Sequence, residues 1–145
     1  MPSVGLAWFL FRSCVGVFFS CLLGFVSWVM VRFIMHSFFL VTPLFNEVMN
    51  LCSIGIAAGI GASSGSWMLE LTRPQLAMRV ILGVIAGLLG AWLGFQYGKG
   101  TYIMIGMPGI PDLRGLVWGA LIGANAVPIL FDLVTAVRRR RFGGA

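Results

Sequence analysis

Four side chains in this chain have the type and spacing to bind a cation or relay a proton. Asn46, Glu47 and Asn50 fall within about one turn of a helix, and Asn125 stands three residues before Pro128. A carboxylate with amides at i−1 and i+3 offers several oxygen ligands from one helix face. Pro128 removes a helix N–H and frees a carbonyl about a turn earlier. A broken helix with a polar side chain near mid-membrane is the arrangement transporter sites use. The structural reading of the same residues is a clasp. Glu47 then meets Arg32 or Arg114, and Asn125 satisfies freed backbone or a facing helix. The clasp is preferred, because each acid has a base nearby and no acid falls at the centre of an apolar run. A path for ions or protons needs polar groups across the whole membrane.

A second set is ionic. Arg79 lies about three residues inside one apolar segment, and Asp132 about five residues from the end of another. If the two segments are antiparallel helices, both side chains fall in one layer. Pairing there offsets part of the cost of removing each charge from water. Arg12 and Glu70 are expected to face each other at the inner end of the bundle. Arg138, Arg139, Arg140 and Arg141 form a run directly after the last apolar segment, the position of a topology signal or an anionic-lipid contact.

Nucleophile and metal motifs are missing. There is no HExxH, GxSxG or phosphate loop, and no Ser, His and Asp set on one side. His36 is the only histidine and reads as an interfacial side chain; as a haem ligand it would need a second ligand from a partner. Cys14, Cys21 and Cys52 all lie in apolar runs, where cysteine behaves as a small hydrophobe. No enzyme activity, cofactor or metal is expected.

The elements that must hold these residues are apolar. Of 145 residues, 59% are hydrophobic and 10% charged, and mean hydropathy is +1.00. A soluble domain carries about 25% charge, so this chain cannot cover its surface in water. The apolar segments run from about 13 to 35, 44 to 69, 76 to 98 and 115 to 137, followed by a basic tail at 138–145. Each is at least 23 residues long, enough to cross roughly 30 Å of hydrocarbon as a helix. The expected fold is all-α: one transmembrane domain, a four-helix bundle. The first half could hold two long or three short helices. Two are preferred, because the break is Arg32 to Pro43, with residues 4–12 extending the first helix. The start lacks the charge and cleavage pattern of a signal peptide and is read as retained.

Charge sets the orientation. Arg12, Arg73, Arg79 and Arg138 to Arg141 fall on one side, and Arg32, Lys99 and Arg114 on the other. Seven positives against three put both termini in the cytoplasm. Trp8 and Trp67 then mark the inner interface, and Trp28, Tyr97, Tyr102 and Trp118 the outer one. The link from Lys99 to Arg114 is broken by Gly and Pro, yet it carries Tyr102, Ile103, Met104, Ile105 and Met107; it is expected to cover helix ends or meet a partner. The net charge of +6 is concentrated at the tail and forms no basic face, which argues against nucleic acid.

Small residues recur every four positions. Gly83, Gly87 and Ala91 form one row on the third helix, and Gly90, Gly94 and Gly98 another. Helix two offers Gly55 and Gly59, then Gly61 and Gly65; helix four offers Gly115, Gly119 and Gly123. Such rows let helix backbones approach closely. Two rows on one helix also offer a surface to a second copy or a larger complex. Nine of the twelve Phe lie in residues 1–45, whereas seventeen of the twenty Gly lie after them. Helix one should therefore sit at the edge of a glycine-packed core of helices two to four. The functional expectation is a small integral subunit or assembly factor of a larger membrane complex in a bacterial cytoplasmic membrane, with lipid and other membrane subunits or its own copies as partners. The alternative is a homo-oligomeric channel or small transporter using Asn46, Glu47, Asn50 and Asn125.

Overall fold

A computed structural model describes residues 3–37, 43–69, 71–98 and 114–142. They form four helices: α1 (Ser3–Ser37), α2 (Pro43–Ser63), α3 (Arg73–Gly98) and α4 (Arg114–Phe142), with a short 3₁₀ segment, Ser64–Met68, after α2. All four are long and apolar enough to cross a membrane, over Gly5–Met35, Phe45–Met68, Arg73–Tyr97 and Arg114–Thr135. They are compatible with a multi-pass integral membrane protein. The link between α3 and α4, together with Lys99, Glu70 and Asp112, lies outside the described residues, as do the side chains of His36 and Arg138 to Arg141.

The first half is two helices. No proline interrupts residues 3–37, and α1 continues unbroken for 35 residues, about 52 Å. Hydrocarbon accounts for about 30 Å of that, so α1 extends past it at its ends or tilts. Pro43 opens α2, a position where its missing N–H leaves nothing unsatisfied. The α-helical part of α2 stops at Ser63, earlier than the apolar run predicts. Ser63 and Ser64 turn their hydroxyls back onto the Gly59 and Gly61 carbonyls, at 3.0 and 2.6 Å. Such local bonds compete with the helix ladder, and the chain tightens into the 3₁₀ segment.

Helices adjacent in sequence pack against each other, and α4 also reaches α2 and α1. Side-chain volume decides which faces meet. A methyl group at Gly90 would strike the Gly119 carbonyl, and one at Gly94 the Gly115 carbonyl, so α3 and α4 touch backbone to backbone. Gly83 and Gly87 on the other side of α3 lie against Gly59 and Gly55 of α2. Between the helices, Ala58, Ala91, Ala120 and Ala124 are completely buried, with Ile54 and Leu116 beside them.

Helix α1 is less peripheral than its Phe content predicts. Arg12, Gly16, Ser20 and Gly24, four residues apart, are all buried. A Cβ on Gly61 would come within 2.5 Å of the Phe19 carbonyl oxygen, and Gly65 lies against the Arg12 carbonyl. Ser20 donates to the Ala58 carbonyl at 3.0 Å. The opposite face of α1 is bulky and exposed, with Phe18, Phe25 and Phe33 leading it.

Candidate functional site

Three ionisable side chains converge where the first third of α1 meets the start of α3 and the second half of α4. Asp132 of α4 is the shared acceptor. Arg79 of α3 donates from Nη1 to Asp132 Oδ1 at 3.0 Å, and Arg12 of α1 donates from Nη2 to Oδ2. Each carboxylate oxygen thus serves one guanidinium. Both arginines are only 7% exposed. Arg79 also donates to Ser66 Oγ at 3.3 Å, and its guanidinium lies over the Phe131 ring, 5.3 Å from the centroid. A cation over an aromatic face recovers part of the attraction lost on leaving water.

Local sequence explains the meeting. Arg12 heads the row of small residues on α1, so its stem enters the interface that Gly16 and Ser20 open. Gly65 has no side chain to block Arg12, and its neighbour Ser66 faces Arg79. Arg79 lies six residues into α3 and Asp132 ten residues before the end of α4. The two helices run antiparallel, as the order of Gly90–Gly119 and Gly94–Gly115 requires, so both residues reach the same level.

A cleft of about 20 Å³ adjoins this cluster, lined among others by Arg12, Gly16, Ser66, Asn125, Pro128 and Asp132. Asn125 is buried and donates from Nδ2 to the Leu121 carbonyl at 2.8 Å. That carbonyl is one turn before Asn125. The carbonyl that Pro128 deprives of its N–H belongs to Ala124, so Asn125 does not serve it. Pro128 sits inside α4, which continues to Phe142.

Asn46, Glu47 and Asn50 lie elsewhere. Asn50 is fully buried and donates to the Asn46 carbonyl and to Asn46 Oδ1, at 2.8 and 3.0 Å. Glu47 is half-buried, and among the described residues it forms no ion pair with Arg32. Arg32 instead lies over the Trp28 ring, 5.8 Å from its centroid. The α2 residue beside Gly16 and the Asn125 amide is Ala62, about 18 Å along the helix from Asn50. Asn125 therefore does not join the other three in one site. Among the described residues no three His, Cys, Asp or Glu side chains converge to hold a metal.

The glycines singled out by spacing are placed as follows. Gly55, Gly59, Gly83 and Gly87 lie between α2 and α3, and Gly90, Gly94, Gly119 and Gly123 between α3 and α4. Gly98 ends α3. Spacing gave no warning that Arg12 would bind Asp132. The available signal was the series Arg12, Gly16, Ser20, Gly24, which the surrounding Phe residues obscure. No family model, curated protein or solved structure matches the chain.

Proposed function

We infer that this chain is a small integral membrane subunit or assembly factor that acts by packing against other membrane-embedded helices and carries out no catalysis. The observation that carries this reading is the character of the buried middle. Between the layer of Asn50 and the layer of Asn125, the buried side chains are Ile54, Ala58, Ala91, Leu116, Ala120 and Ala124, together with Ser20, whose hydroxyl is already bonded to the Ala58 carbonyl. A solute or ion crossing one copy would meet alkyl groups and closely packed backbone there. A structural role asks only that the bundle be firm and present a surface.

The glycine rows support that role as the means of packing. Gly83 with Gly87, and Gly90 with Gly94, each already lie against a neighbour within the chain. This weighs against those rows as the contact with a second copy, and the exposed Phe-rich face of α1 is the surface this reading offers to another subunit. We place both termini in the cytoplasm, because the positive charges cluster at the end of the bundle that holds Arg12, Arg73 and Arg79. In this proposal the membrane is a bacterial cytoplasmic membrane.

The test is isolation of the tagged chain from its native membrane in mild detergent, followed by mass spectrometry of stable companions. A defined complex with other membrane subunits is expected, and it should survive Glu47→Gln. Recovery of the chain only as free copies, with an ion flux in vesicles that Glu47→Gln abolishes, would replace this reading with that of a channel.

A further inference from the structure

We propose that the cleft beside Arg12 binds a single halide ion, with chloride as the physiological form. The case begins with charge. Among the described residues two buried guanidinium groups face one carboxylate, so Arg12, Arg79 and Asp132 together carry +1. A net charge removed from water needs a counter-charge close by.

Hydrogen-bond accounting gives the same sign. Arg12 Nε is buried and has no hydrogen-bond partner among the described residues. Ser66 is 3% exposed, and its oxygen accepts from Arg79. A hydroxyl that accepts still has its own proton to donate, and no acceptor for that proton is found among the described residues. Asn125 has used one of its two amide protons on the Leu121 carbonyl. Arg12, Ser66 and Asn125 all line one cleft. Asp132 also lines the cleft with both carboxylate oxygens already bonded, and the Asn125 side-chain oxygen lies on its Gly16 side. A small acceptor placed there can take the Arg12 Nε and Ser66 protons together, and the excess of positive charge favours an anion over neutral water in that place.

Size narrows the class. The cleft measures about 20 Å³, and a cavity holds one water from about 10–15 Å³ upward. One water-sized species fits, and a halide is of that size. Bound there, the halide neutralises the cluster that ties α1, α3 and α4 together. Stability of the bundle then depends on halide concentration, whatever surface the chain offers to other subunits.

The experiment follows thermal unfolding of the purified protein in micelles through its five tryptophans. Sodium chloride or bromide replaces sodium gluconate at constant ionic strength. A saturable rise in melting temperature with either halide is expected. Arg12→Gln, which leaves the cluster neutral, should abolish the rise. Ser66→Ala, which removes one small donor, should weaken the halide's apparent affinity about fivefold. Arg32→Gln, at the other end of α1, should leave the response intact. Should Arg12→Gln fail to fold, Ser66→Ala decides alone. Equal melting in chloride and gluconate would overturn the proposal, leaving water as the occupant. So would an unchanged halide response in Ser66→Ala. A response to phosphatidylglycerol in nanodiscs with none to halide would also overturn it, assigning the charge to a lipid phosphate.

Discussion

Arg12 and Asp132 stand 120 positions apart in the chain and form a hydrogen-bonded ion pair between the first helix and the last. The contact closes one end of a bundle whose other packing runs mainly between sequence neighbours. Because Asp132 also holds Arg79, one carboxylate fixes three helices.

Removing that carboxylate should be the most damaging single change in the cluster. Asp132→Ala leaves two buried cations without their carboxylate, and breaking a buried pair in this way costs about 3–5 kcal/mol. The neutral combination Arg12→Met, Arg79→Met and Asp132→Leu should cost far less, since apolar replacements of a whole buried ionic group are often tolerated. Chemical unfolding in micelles, compared across the single and triple variants, checks the difference.

Bulk at the helix contacts should separate the helices. Gly94→Leu places a side chain where the Gly115 carbonyl lies, and Gly87→Leu does the same at Gly55. Backbone groups cannot yield as a flexible side chain can, so the cost should reach or exceed the upper part of the 1–3 kcal/mol typical of overpacking. Gly5→Leu is the control, because nothing lies within 4 Å of its would-be side chain. The expected result is a large loss of thermal stability and altered migration on native gels for the first two, and neither for the control.

Ser20→Ala removes a bond to the Ala58 carbonyl across the α1–α2 contact while leaving the close approach intact. Interhelical side-chain bonds in membranes average about 0.6 kcal/mol. A loss of that order in unfolding free energy is expected. A loss above about 2 kcal/mol would mean that Ser20 does more than this one bond.

Glu47→Gln should change little. The side chain is half-buried, its size is kept, and one oxygen remains to accept a hydrogen bond. Thermal stability within about 0.5 kcal/mol of the parent is expected, with the complex isolated from membranes unaltered.

The spacing of residues made part of this legible. Four apolar stretches longer than a bilayer is thick give four helices, because a backbone in lipid must satisfy its own hydrogen bonds. Counting residues from the helix ends also puts Arg79 and Asp132 at one level, since rise per residue is constant. The pairing of Glu47 with Arg32 was a matter of level alone, and in the structure Arg32 lies over Trp28. Level does not determine which way around a helix a side chain points.

The sequence by itself determined that four helices are long and apolar enough to cross a membrane, and set the rows of small residues along them. These follow from local composition and the period of the helix. Only the tertiary structure decided which row meets which neighbour. Gly55 and Gly59 turn to α3, Gly61 and Gly65 to α1, and the row through Gly16 and Ser20 makes a Phe-rich helix an integral part of the packing. It also decided that Asp132 takes two arginines beside a cleft. The reason is that a row of glycines fits any similar row equally well. The choice among them rests on the mutual rotation of all four helices, and that rotation is fixed only when every contact is made at once.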